Sequence, residues 1–248
     1  MASLEEYSRY ENEIDHASTG NYHVDELLQR LNILDVGVTK PYLLALFDYW
    51  HKGQIDDNQV AEVLTTIETL VFRRLICNIP TNGLNKIFAT LFSDSIAYLD
   101  QTKDYVAVLN YLLAKRPDAS RLPNDVQFQE GISTKDIYGM NSKNKYYLFN
   151  RLENQNSMEH VNVVKNMEEG IYTIEHIMPQ TLSDAWKASL GPEYQKVYDR
   201  WSNRLANLTL TAYNSKYSNR MFSDKKAIEN GFNASGFRMN DFLKNCHE

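Results

Sequence analysis

The 248-residue chain carries 26 basic and 32 acidic side chains for a net charge of −6, with 43% hydrophobic and 23% charged residues. That is the balance of a globular protein long enough to bury a core as one large domain or two small ones. Only Cys77 and Cys246 occur, far apart, which argues against a disulfide framework and a cysteine-rich zinc site; no apolar run approaches the roughly 20 residues of a membrane-spanning helix, and the acidic start Met1-Ala2-Ser3-Leu4-Glu5-Glu6 lacks a signal-peptide core, so a cytoplasmic protein is expected.

Residues 1–170 read as helical. Residues 41–50 (PYLLALFDYW) open on a proline suited to a first helical turn and are apolar enough to be buried. Residues 58–78 follow, with Asp57 or Asn58 as cap and Val60, Val63, Leu64, Ile67, Leu70, Val71 and Leu75 at helical spacing, and Pro80 ends them. Residues 84–99, 105–115 (closed by Arg116-Pro117) and 141–154 are further predicted helices, and the polar stretch 155–170 is a predicted loop. The texture changes at Gly170. Residues 171–174 (IYTI) suit a short strand, 180–205 two short helices split at Gly191-Pro192, 208–213 (LTLTAY) a second strand, 223–230 a helix capped by Ser223, and 238–245 a last helix.

Charge divides along the same line. Residues 1–170 hold 16 basic against 24 acidic side chains, whereas residues 171–248 hold 10 against 8. Between 200 and 226 stand Arg200, Arg204, Lys216, Arg220, Lys225 and Lys226, with Asp224 the single acid. Such a segment suits phosphate contact, although by charge alone a solvated helix face is the better reading. Beside it lies Ile174-Glu175-His176-Ile177-Met178-Pro179-Gln180, followed by Asn207-Leu208-Thr209-Leu210, Asn214, Asn219, Phe222 and Lys225-Lys226. A histidine near its ordinary pKa is a suitable general base at neutral pH. A carboxylate with an asparagine amide oxygen can hold Mg²⁺, which prefers oxygen ligands and keeps several waters. In an extended strand Glu175 and His176 point to opposite faces, so that one could hold metal while the other addresses water.

Together and in this order these segments resemble the C-terminal HNH (His-Me finger) nuclease domain of GmrSD-type modification-dependent (type IV) restriction endonucleases and related phage-defence proteins. The resemblance extends less sharply through 71–87 (VFRRLICNIPTNGLNKI), 123–128 and 146–153. It implies a mainly α protein with a small α+β part, in which a helical region (1–170) precedes a ββα-metal nuclease region (171–248) packed with it as one unit. It also implies hydrolysis of DNA phosphodiesters with one Mg²⁺ or Mn²⁺. His176 matches the general base, Glu175 the acidic metal ligand, and Asn207 the asparagine that orients the histidine through backbone contacts. Asn214 matches the second metal ligand, with Asn219 the alternative; Asn219, Arg220, Lys225 and Lys226 are candidates for phosphate contact or for bracing the site. Ala206 stands where the family usually has glycine. Trp186 and Trp201 are expected as core anchors, and His16, His23, His51, His160 and His247 have no motif around them. Neither a glycine-rich phosphate loop nor an Asp-Gly-Gln-Gln-Arg motif occurs, so the chain is expected to be the nuclease half. Its partners are then modified phage DNA and a separate nucleotide-hydrolysing sensor domain, with no membrane. A catalytically weak helical interaction module and an RNase using the same finger are the alternatives.

Overall fold

The computed structural model describes residues 3–102, 104–117 and 120–246; His247 lies outside the described residues. The chain divides into two compact units, residues 1–132 and 133–248.

The first unit is helical throughout its described length. Helix α1 (Leu4–His16) starts at a capping box in which Ser3 and Glu6 satisfy each other's backbone N–H. Helices α2 (Tyr22–Leu34), α3 (Lys40–His51) and α4 (Asp57–Ile76) follow, then α5 (Asn82–Thr102), α6 (Tyr105–Lys115) and α7 (Asp125–Thr134), which runs across the division. The predicted stripe of α4 is the core stripe: Val60, Val63, Leu64, Ile67, Leu70 and Val71 are buried, facing Val24, Leu27, Leu28 and Leu31 of α2. Burying each such side chain stabilises by roughly 1.5–3 kcal/mol. The α4 cap is Asp56, one residue earlier than expected, because its carboxylate accepts Gln59 N at 2.8 Å while Gln59 Oε1 accepts Asp56 N at 3.0 Å.

The second unit holds α8 (Ser142–Asn154), α9 (Val163–Glu168), β1 (Thr173–His176), α10 (Asp184–Leu190), α11 (Tyr194–Trp201), β2 (Leu208–Thr211), α12 (Asn214–Tyr217), α13 (Phe222–Ala227) and α14 (Asp241–Asn245). Helix α9 lies inside the stretch expected to be loop. Asn162 caps it by accepting Lys165 N at 3.0 Å, and Val163 and Met167 are buried. The unit begins at Ser133 and includes α8. The buried Glu153 carboxylate of α8 accepts the backbone N–H of Arg238 at 2.8 Å and of Met239 at 3.1 Å. Helix α13 starts at Phe222 with Met221 as N-cap, so the expected cap Ser223 falls within the helix.

Strands β1 and β2 pair antiparallel, with Glu175 opposite Thr209 and His176 opposite Leu208. Helices α10 and α11 lie between the two strands in the chain, and α12 and α13 follow β2. An apolar cluster of Met178, Trp186, Tyr217, Phe222, Phe232 and Leu243 lies behind these elements. Trp186 is the core anchor expected, donating its indole N–H to Arg220 O at 2.9 Å. Trp201 is not: it ends α11 with 38% of its surface exposed.

Candidate active site

The strand β1 runs to His176, so both Glu175 and His176 are paired residues of a sheet rather than part of a turn following it. Just beyond, the chain is held by Asn207. Its backbone carbonyl accepts Ile177 N at 2.9 Å, its side-chain oxygen accepts Met178 N at 2.6 Å, and its amide nitrogen donates to Met178 O and Ser202 O, each at 2.9 Å. A buried asparagine with its amide so fully engaged clamps the two backbone segments together. Ala206 beside it lies in a 3₁₀ turn and outside the left-handed region, so alanine takes the usual glycine position without strain.

Lys225, in the last turn of α13, is fully buried, and its ammonium donates to Glu175 Oε1 at 2.6 Å, His176 O at 2.7 Å and Ile177 O at 3.2 Å. An ammonium has three donors, and all three have partners here. Of the two roles expected for Lys225 this geometry fits bracing the site; a lysine so enclosed has no donor for a phosphate. Burial pushes the Glu175 carboxyl above its ordinary range, with Lys225 pulling it back, and burial pushes the Lys225 ammonium down, with Glu175 opposing. Lys226 likewise is engaged, capping α14 through Lys244 O at 2.9 Å and Cys246 O at 2.8 Å. Arg220 is exposed and turns its Nε to Lys216 O at 3.1 Å.

His176 is 6% exposed, and its Nε2 is buried without a hydrogen-bond partner. Burial pushes the imidazole pKa down to about 4; a hydrogen bond with Asn203 opposes this and the charge of Lys225 adds to it. The ring is therefore neutral at physiological pH. Tyr138 meets it edge to face, centroids 4.4 Å apart. Asn203 donates to Asp136 Oδ2 at 3.3 Å and accepts Ile137 N and Tyr138 N on its carbonyl at 3.0 and 3.2 Å. Tyr138, Asn203 and Asp136 carry no sequence signal. Tyr138 and Asn203 are joined to each other by backbone bonds from residues 137–138 to 203, and Asp136 holds the Asn203 side chain.

Glu175, His176, Tyr138, Asn214, Ser218 and Asn219 line a pocket of about 290 Å³. Asn214 donates its amide nitrogen to Ile174 O at 3.4 Å, which leaves the amide oxygen available. Ser218 follows α12 at φ 45°, a strained conformation for a residue with a side chain, between the two asparagines. Among the described residues no group of three or more His, Cys, Asp or Glu side chains converges. The donors at hand are thus one carboxylate and neutral amide oxygens, a hard oxygen set. It fits an ion that retains most of its waters, as Mg²⁺ does, and does not fit an all-protein cage.

This is a pocket with a neutral buried imidazole beside a carboxylate. Residues 122–248, about half of the chain, match the family of GmrSD restriction endonucleases, C-terminal domain. The chain belongs to that family, and so among the nucleases. No curated protein and no solved structure matches it. No helix of the described residues is long and apolar enough to cross a membrane.

Proposed function

We propose that the second unit is a metal-dependent DNA endonuclease of the HNH (ββα-metal) type, with His176 as general base. One observation carries this reading: a buried, unprotonated imidazole with an unpartnered Nε2, adjacent in a strand to a buried carboxylate and lining a polar pocket. A buried polar atom without a partner costs stability and calls for a functional reason. His176 takes the proton of the attacking water, and the cut leaves a 5′-phosphate and a 3′-hydroxyl. An anionic phosphate entering the pocket favours the protonated ring, so the base strengthens as substrate arrives. Glu175 and Asn214, or Asn219 in its place, hold Mg²⁺ or Mn²⁺, which when bound supplies a Lewis acid and charge stabilisation at the phosphate and leaving oxygen. Asn207 fixes the backbone that follows the base, and Lys225 keeps Glu175 ionised and in place. In this reading the chain is the nuclease half of a cytoplasmic restriction or phage-defence system, and a nucleotide-hydrolysing sensor domain chooses the modified DNA.

Supercoiled plasmid incubated with the protein and Mn²⁺ is expected to be nicked or linearised. His176→Ala is expected to lower the rate by about 100-fold or more. Cleavage that survives this substitution removes His176 as the base, and digestion of RNA but not DNA under the same conditions changes the substrate.

A further inference from the structure

With Lys225 and Lys226 both engaged inside the fold, the second unit needs another surface on which a polyanion can rest. It has 15 basic against 13 acidic residues, an excess too small to act unless it is concentrated. The place where it is concentrated is the end of α11. Trp201 is exposed there, with the guanidinium carbons of Arg200 and Arg204 lying 5.1 and 5.2 Å from its ring centroid. Neither arginine has an ion-pair partner among the described residues. The neighbouring Asp199 is turned to Gln195 at 2.8 Å, and Arg204 keeps one backbone contact, to Ser133 O at 3.1 Å. A second exposed aromatic–cation pair among the described residues, Tyr213 with Lys216, is weaker because Lys216 faces Glu229 at 3.5 Å. The Trp201 patch also sits next to the site in the chain, since Asn203, between Trp201 and Arg204, reaches His176.

We infer that Arg200, Trp201 and Arg204 are a nucleic-acid contact, built to hold the strand whose phosphodiester enters the His176 pocket. Two guanidinium groups without ion-pair partners can each donate to a backbone phosphate, and an indole ring offers a stacking surface that any base can use. Stacking on the arginines holds the ring ready at the surface while leaving their outer N–H groups free to donate. This inference rests on the nuclease reading of the pocket and adds the surface that presents the substrate to it.

The test is binding of a fluorescein-labelled mixed-sequence duplex, and of one strand of it alone, to the full chain in EDTA, read by anisotropy over a range of salt. Replacing both arginines by glutamine is expected to lower the slope of log affinity against log salt by about 2 and to weaken binding about tenfold near 0.1 M salt. Arg200→Gln alone, which removes nothing but a ring contact and so leaves the fold intact, is expected to remove about 1 from the slope. Trp201→Ala is expected to weaken single-strand binding by about 5- to 100-fold, with Trp201→Phe restoring most of it. Variants that bind with wild-type affinity and slope, while the wild type binds DNA and cuts plasmid, overturn the patch and leave the nuclease reading standing. A wild type that binds neither polymer overturns the patch, and its plasmid assay then decides the nuclease reading separately. An acidic peptide of equal charge that competes as well as DNA replaces the inferred ligand.

Discussion

At the scale of single residues the site depends on one buried ion pair and one unprotonated ring. Lys225 and Glu175 are 2.6 Å apart and excluded from solvent, a pairing in which removing one partner strands the other's charge. Lys225→Met is therefore expected to lower unfolding free energy by about 3–5 kcal/mol, read from urea melts, while Lys225→Met combined with Glu175→Leu recovers much of that loss because two well-packed apolar groups replace a desolvated pair. A double variant no more stable than Lys225→Met would show that the lysine acts mainly through its carbonyl contacts. His176 gives a pH signature of its own. Its folded-state pKa is depressed, to about 4, so its contribution is fully present above the unfolded value near 6.5 and is lost as pH falls from about 6.5 to 4, by up to about 3 kcal/mol in metal-free buffer. His176→Gln is expected to flatten that part of the stability profile; an unchanged profile places the loss on other groups. The identity of the histidine and of its acidic neighbour could be read from the sequence, because they are consecutive and embedded in an ordered motif. The roles of Lys225 and Lys226 could not. A pair of lysines on a helix gives no sign of which one is enclosed; that is set by contacts about 50 residues away, at Glu175, His176 and Ile177.

At the scale of elements the site is two strands clamped by Asn207 and braced by α13. The braced end is close-packed: a Cβ added at Gly231 meets Lys225 O at 2.5 Å and Ile228 O at 2.8 Å. These are backbone atoms and cannot swing aside. Gly231→Ala is thus expected to push the end of α13 off its seat, destabilise by about 1–3 kcal/mol, and reduce cleavage more than its effect on the melting temperature accounts for. Cleavage that tracks the fraction folded would separate the helix end from the site. Helices α3 to α6 were legible because their apolar spacing is long, and prolines follow the ends of α4 and α6, at Pro80 and Pro117. Helix α9 was not, since six polar-flanked residues carry too short a period; it exists because Asn162 caps it and tertiary contacts bury Val163 and Met167. The bounds of β1 were also beyond reach: the strand expected over 171–174 runs Thr173–His176, because pairing of Glu175 and His176 with Thr209 and Leu208 sets its end.

On the scale of the whole molecule, the question is how much chain the site needs. The change of texture at Gly170 marks where strands begin, and composition alone suggests that the functional part starts there. Its stability has another origin. The 3₁₀ turn Arg238–Asn240 presents two backbone N–H groups to the Glu153 carboxylate of α8, and the Asn240 at its end, fully buried, accepts from Thr209 on β2 and donates to Leu210 O at 3.1 Å. Helix α8 thus holds the turn that holds the second strand. A fragment of residues 171–248 lacks this support and also lacks Tyr138 beside His176 and Asp136 beside Asn203; it is expected to show no cooperative thermal transition by circular dichroism. A fragment of residues 133–248 retains all of these and is expected to melt cooperatively and to keep measurable plasmid nicking with Mn²⁺. Glu153→Ala in the full chain isolates the link, because it removes the acceptor of two part-buried N–H groups, at about 1 kcal/mol each. A cooperative melt from residues 171–248 alone would remove α8 from the structural unit and return its boundary to Gly170.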